Sequence, residues 1–184
     1  MIVLVGECGC GKTAIEKVLV SQYGYERTIS YTSKQKEEGE IDGVDYNFIS
    51  FDEFTEKCNN GFFVECGSNN HVFYGTTKEQ YKENTVCILT PHGLRQIKEN
   101  LDKSNLDIHI FYIKVPRKDR LVKMFERGDD IDEAIERDRE DIKLYANIGE
   151  EVVFILNNDK YFSDPENMAY WIMECIKGEN KWTV

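Results

Sequence analysis

The stretch Gly6-Glu7-Cys8-Gly9-Cys10-Gly11-Lys12-Thr13 restricts the fold of this chain more than any other. It satisfies the spacing G-x-x-x-x-G-K-[ST] and stands where that spacing has a physical purpose, after the apolar run Ile2 to Val5 and before a helical pattern that begins near Lys12. The glycines let successive backbone N–H groups turn inward around a phosphate, and the start of the helix adds the positive end of its dipole. Lys12 then reaches the β- and γ-phosphates as a point charge, and the Thr13 hydroxyl is offered to Mg2+. A nucleoside triphosphate site is expected, with Gly6, Glu7, Cys8, Gly9, Cys10, Gly11, Lys12 and Thr13 around its phosphates and Thr13 on the metal; the loop alone does not separate a kinase, a GTPase and an ATP-driven machine.

Such a loop needs a parallel α/β frame, and apolar periodicity supplies one. Ile2 to Val5, Val86 to Leu89, Ile108 to Val115 and Val152 to Leu156 read as strands buried on both faces. Helical stripes follow at Ala14, Ile15, Val18 and Leu19; at Leu94, Ile97 and Leu101; at Leu121, Met124 and Phe125; and at Met168, Trp171, Ile172, Cys175 and Ile176. The expected fold is α/β, a doubly wound parallel sheet of about five strands with helices on both faces.

From about Thr32 to Thr76 the rhythm breaks. A charged stretch from Lys34 to Glu40 leads to short strand candidates at Tyr46 to Ile49, Phe62 to Cys66 and His71 to Tyr74, parted by Asn59-Asn60-Gly61 and Gly67-Ser68-Asn69-Asn70. This reads as a small antiparallel insertion. Gly128-Asp129-Asp130 then precedes a charge-rich helix from about Ile131 to Tyr145, whose charges are expected to be mostly solvated. One domain over 1–184 is expected, with a core of 1–31, 77–126 and 147–184, an insertion at 32–76 and a lid at 127–146.

Lys and Arg number 23 against 34 Asp and Glu, a formal charge of −11 that repels DNA, RNA and anionic lipid. Neither nucleic acid nor membrane is expected as a partner. No apolar run reaches the length of a membrane span, and Ile2 to Val5 is too short and lacks the basic flank of a signal peptide, so a cytoplasmic protein is expected. Six cysteines never give C-x-x-C, which disfavours a metal site or disulfide framework. Cys58, Cys66, Cys87 and Cys175 are expected to be small buried hydrophobes.

Beyond the loop, Ser30-Tyr31-Thr32-Ser33-Lys34 leads to Glu38-Gly39-Glu40-Ile41-Asp42-Gly43-Val44-Asp45-Tyr46, and then to Gly61-Phe62-Phe63-Val64-Glu65 and Phe73-Tyr74-Gly75-Thr76. This series resembles the guanylate kinase family, with its S-x-T-T-R-x-P-R-x-G-E-x-x-G-x-D-Y stretch followed by F-x-E and Y-Y-G-[ST], and the likeness runs from Ile2 to about Asp159. The resemblance implies ATP- and Mg2+-dependent phosphorylation of GMP or dGMP by in-line transfer. It places Ser30, Glu65 and Thr76 on the guanine, Tyr46 and Tyr74 on the monophosphate, and Glu40 at another acidic substrate position. Chemistry agrees, since a carboxylate can accept both the N1–H and the exocyclic amine of guanine, and paired polar contacts reject analogues well.

The resemblance also gives Arg127 the place of the lid arginine, with Lys12 and Arg127 stabilising the transferring group. The next family arginine falls strictly on Asp138, so Arg137, or failing that Arg139, is expected to serve. Asn157-Asn158 resembles the family's V-N-D ending, which puts Asn158 on the adenine side. Closure of insertion and lid is expected to exclude water. The chain departs from the pattern at the acceptor side. Lys34 and Glu37 replace two phosphate-gripping arginines, Lys36 replaces a proline, and Thr90 and His92 stand where D-x-D-x-Q-G has carboxylates. A kinase with an altered acceptor, or a non-catalytic binding module of this fold, are the alternatives.

Overall fold

A stretch that is apolar at every position fits only a strand covered on both faces. Ile2–Val5 is such a stretch, each residue fully buried, and it forms the central strand β1 of the computed structural model. The structure describes residues 1–69, 72–101, 106–148, 154–157 and 164–178. After β1 come α1 (Lys12–Tyr23), β2 (Glu26–Arg27), β3 (Tyr31–Thr32), β4 (Asn47–Phe48), α2 (Phe51–Asn59), β5 (Glu65–Asn69) and β6 (Val72–Thr76). Then follow β7 (Thr85–Ile88), α3 (Pro91–Leu101), β8 (His109–Lys114), α4 (Arg117–Glu126), α5 (Ile131–Leu144), β9 (Phe154–Asn157) and α6 (Pro165–Lys177).

Two sheets form among the described residues. The first has the order β2-β7-β1-β8-β9, with β1 parallel to β7 and β8, and β8 parallel to β9. Ile2 lies opposite Val86 on one side and His109 on the other. The second has the order β4-β3-β6-β5. The chain divides into two compact units, one of Met1, Glu26–Thr85 and His92–Asp107, the other of Ile2–Tyr25, Val86–Pro91 and Ile108–Val184. The expected insertion, 32–76, lies inside the first unit, and the expected lid, 127–146, inside the second.

The second unit is built on the fully buried Ile2, Leu4, Ile15, Leu19, Phe111, Ile113, Met168 and Ile172, which join β1 and β8 to α1 and α6. Strands feeding helices that return to the sheet produce this layering, and side chains of this size each contribute roughly 1.5–3 kcal/mol on burial. In the first unit the core is aromatic: Phe54 of α2 is buried, stacks on Phe63 at 4.8 Å and meets Phe73 at 5.8 Å.

The first unit departs from the sequence expectation in four ways. Its sheet is mixed, because β4 runs parallel to β3 while β3 with β6 and β5 with β6 are antiparallel. Gly67 and Ser68, expected in a turn, belong to β5, held there by pairing with Tyr74 and Phe73. Helix α2 was not anticipated, although Ser50 caps it by accepting from the Glu53 N–H at 3.2 Å and Asp52 and Glu53 favour its first turn. Finally, Cys58 and Cys66 are half-buried rather than buried, with their Sγ atoms 2.6 Å apart where α2 meets β5. Cys175 is also half-buried, and Cys87 is buried as expected. His71 and Val152 lie outside the described residues. Among those residues, no helix is long and apolar enough to cross a membrane.

Candidate active site

The phosphate loop belongs to the second unit and joins β1 to α1. Gly6 has φ 151°, and a Cβ there would stand 2.7 Å from the Ile113 carbonyl oxygen; at Gly9, φ 79°, a Cβ would stand 2.6 Å from the Arg120 carbonyl oxygen. The loop is thus pressed against β8 and α4 so closely that only hydrogen fits. Helix α1 begins without a side-chain cap and without an acidic residue in its first turn, which leaves its N–H groups to an anion.

Lys12 Nζ folds back onto the loop, donating to Glu7 O at 3.0 Å and to Gly6 O at 2.5 Å. Thr13 is exposed at the helix start. Cys10 is fully buried, and burial pushes its thiol pKa up against the opposing effect of Lys12, so it behaves as a core residue. Glu7 Oε1 accepts from the Tyr112 hydroxyl at 2.9 Å, and burial, with the Glu7 carboxylate second, raises the pKa of that phenol.

The cations of the expected lid sort themselves by partner. Arg127, just after α4, donates to both oxygens of Asp129, at 2.8 and 2.5 Å, and reaches Cys8 Sγ at 3.9 Å. Arg137 of α5 meets Asp129 at 3.5 Å and Glu133 at 3.2 Å. Asp129 therefore gathers Arg127 and Arg137, and the Arg127 hydrogen bond holds its carboxyl below the usual range. Arg139 is exposed and pairs with Glu136 at 3.3 Å, away from this group. Among the described residues, Arg120 Nε, Arg137 Nε and Glu7 Oε2 are buried and have no hydrogen-bond partner.

Asp138, where the family has an arginine, is completely buried and accepts from Arg117 Nε at 2.6 Å and Arg120 Nη2 at 2.8 Å. Arg120 is itself 2% exposed and donates through Nη1 to the Cys8 carbonyl at 3.2 Å. Asp141, half-buried one turn further along α5, accepts from the Cys8 N–H at 2.6 Å. The expectation of a mostly solvated helix face is thus corrected at both acids. Asp138→Ala strands the Arg120 charge in the interior and should lower the unfolding free energy by about 3–5 kcal/mol in denaturant titration. Pairing Arg120→Met with Asp138→Leu should recover much of that loss.

The first unit carries the other candidate residues. The β5/β6 register sets Glu65 opposite Thr76, and Thr76 Oγ1 lies 2.8 Å from Ser30 Oγ. Glu65 is 8% exposed, and the Tyr81 hydroxyl donates to it at 3.4 Å. Burial pushes its pKa up, partly offset by hydrogen bonds from Thr76 and Tyr81. These residues form a buried patch of acceptors and hydroxyls, suited to a flat polar ring with adjacent N–H groups. Helix α3 supports it: Gln96 Oε1 accepts from the Cys66 N–H at 2.7 Å, and Gln96 Nε2 lies 2.9 Å from His92 Nε2.

Lys34 is held by Glu40 at 2.8 Å and by Glu37 at 2.9 Å. Burial alone would lower its pKa, but the two carboxylates more than reverse that and raise it. The rings of Tyr46 and Tyr74 lie 5.8 Å apart, and burial, then Tyr46, raises the Tyr74 phenol. Thr90 lies exposed after β7, in the second unit. Asn158 lies outside the described residues. Sequence reasoning missed Arg120, Asp141 and Tyr81. An acid at position 138, where the resemblance calls for a cation, was the one available signal, since burial there demands a complementary arginine.

A family model described as guanylate kinase matches residues 1–169. A guanylate kinase of Fusobacterium nucleatum is 30% identical, over 74% of this chain and 75% of its own length. One from Nitratidesulfovibrio vulgaris is 27% identical, over 97% and 89%. Among solved structures, a guanylate kinase from Anaplasma phagocytophilum superposes with a TM-score of 0.70 at 20% identity, over 100% of this chain and 87% of that one, a likeness of fold.

Proposed function

The chain belongs to the guanylate kinase family, and from that premise we propose that it transfers the γ-phosphoryl group of ATP to GMP or dGMP. The acceptor assignment rests above all on Glu65, a buried carboxylate in register with Thr76 and neighboured by the Ser30–Thr76 hydroxyl pair. Guanine offers N1–H and N2–H to one carboxylate and O6 to a hydroxyl, whereas adenine offers no donor at N1. Tyr46 and Tyr74, with Lys34, would hold the monophosphate.

On the donor side the uncapped start of α1, the loop N–H groups and the exposed Thr13 fit a magnesium–ATP complex. Among the described residues no cluster of three or more His, Cys, Asp or Glu is placed to hold a metal alone, so the ion would arrive with the nucleotide and use Thr13. When bound, Mg2+ neutralises phosphate charge. Lys12 would leave Gly6 O and Glu7 O for the β- and γ-phosphates. Arg127 and Arg137, released from Asp129, would face the transferring group, where preorganised cations lower the barrier. Small nucleotides are the partners of this reading, and a cytoplasmic setting suits it.

Glu37 is the departure with a measurable consequence. It neutralises Lys34 where the family grips phosphate with arginine, so Glu37→Arg removes one anion and adds a bidentate donor. The KM for GMP should fall about tenfold. An unchanged or higher KM would mean that the phosphate is held elsewhere.

The deciding experiment is ADP release measured with GMP, dGMP, AMP, CMP and UMP. GMP or dGMP should stimulate most. Stimulation by none would leave a binding module, and preference for AMP or a pyrimidine would refute the roles given to Glu65 and Thr76.

A further inference from the structure

The backbone of Cys8 is gripped at both of its polar groups. Its carbonyl accepts from Arg120, which is anchored on the buried Asp138, and its N–H donates to Asp141 at 2.6 Å. Both acids belong to α5, one turn apart, so one face of that helix reaches the loop twice, once through an arginine and once directly. The two contacts differ in kind. The first joins an anion to a cation and then to a carbonyl, and is compatible with a phosphate in the loop. The second places a carboxylate on a backbone donor in a loop whose donors serve to cradle phosphate.

We propose that Asp141 is an internal anion of the donor loop, occupying the Cys8 N–H in the nucleotide-free chain and setting the affinity for ATP by having to be displaced. This rests on the donor-site reading above. A short contact between a carboxylate and a backbone N–H is a charge-assisted bond, roughly twice the strength of a neutral one, so its displacement subtracts directly from nucleotide binding. The charges facing Asp141 are those a phosphate would meet. Lys12 and Arg120 attract it, while Glu7 repels it. Burial raises its pKa despite the Cys8 N–H and both cations, so this carboxylate is poorly solvated where it sits and is relieved by moving out. Lys12, meanwhile, spends its ammonium on the carbonyls of Gly6 and Glu7, so loop and helix together hold a closed set of contacts that a nucleotide must open. A carboxylate that only shaped the loop would help the ligand bind; one that stands in for the ligand hinders it, and the two roles predict opposite signs.

The test is titration calorimetry of the full chain with Mg2+ and a non-hydrolysable ATP analogue, and separately with inorganic pyrophosphate, in the wild type, Asp141→Asn and Asp141→Ala. Asp141→Ala should bind both probes about tenfold more tightly, and Asp141→Asn about threefold, because the amide oxygen still accepts from Cys8 but carries no charge. Weaker or unchanged affinity in the isosteric Asp141→Asn overturns the proposal. So does failure of both variants to fold, judged by thermal melting, since the carboxylate would then be structural. Wild-type chain that is folded yet binds neither probe refutes the donor site itself, a result distinct from a wild type that binds while the variants match it.

Discussion

Lys12→Ala should abolish phosphoryl transfer while leaving the fold intact, with kcat falling about 10³-fold in the ADP-release assay. The size of the loss follows from what the side chain touches. Its ammonium bonds to Gly6 O and Glu7 O, two carbonyls at a partly open loop that water can satisfy when the lysine is gone, and reaches the weak acceptor Cys10 Sγ at 3.5 Å. Unfolding free energy should therefore change by less than about 1 kcal/mol. Chemistry suffers far more, because a point charge on the β- and γ-phosphates contributes most where charge develops in a site shielded from water. Lys12→Arg is expected to restore little, since a planar fork does not fit a cradle shaped for an ammonium. Activity within tenfold of wild type in Lys12→Ala would mean that ADP release does not arise at this loop.

Glu65→Gln should remove the preference for guanine. The amide presents an amine to guanine N–H groups, leaving two donors face to face in a buried patch, and kcat/KM for GMP should fall about 10²–10³-fold. The low activity with AMP should barely move. Because burial raises the Glu65 pKa, protonation sets in at higher pH than for an ordinary glutamate. The acid limb of kcat/KM for GMP should lie correspondingly high, with binding lost as pH falls through that value, and Glu65→Gln should flatten it. Stability runs the other way. A carboxyl whose folded pKa is raised contributes most below its unfolded pKa and loses that contribution as pH rises through the folded value. Glu65→Gln should thus melt at a higher temperature than wild type near neutral pH while working worse. A lower melting temperature, or a GMP profile unchanged by the substitution, would contradict this account.

The donor half was legible in the sequence because it is local. A loop of fixed spacing between an apolar run and a helix is set by neighbouring residues alone, and Gly6, Gly9, Lys12 and Thr13 stand as that spacing requires. The parallel strands were equally plain, since Ile2–Val5 and His109–Lys114 have few polar positions that a solvent-facing strand would need. The acceptor half was legible in its residues and not in its elements. Gly67 and Ser68 have turn chemistry, yet pairing with Val72–Thr76 outweighs it, and only knowledge of the partner strand could have said so. Helix α2 was hidden by aromatic residues that suit strands, although Ser50 and Glu53 marked its start. Arg120 and Asp138 were not legible as a pair, because they lie in different helices: the acid at 138 breaks the family pattern, but Arg120 alone looks like an ordinary surface charge. Arg137 and Arg139, which spacing could not separate, are separated by their partners: Asp129 for one, the outward Glu136 for the other.

The loop pattern treats four of its positions, here Glu7, Cys8, Gly9 and Cys10, as wild cards. In this chain few are free. Position 9 has no room for a methyl group beside the Arg120 backbone, position 10 is enclosed in the core, and position 7 is tied to Tyr112. A saturation library across the loop should therefore return surviving variants mainly at position 8, whose backbone N–H and carbonyl carry its close contacts and whose side chain meets Arg127 only at 3.9 Å. For mutational tolerance, what the general pattern leaves open this particular protein has already spent on packing.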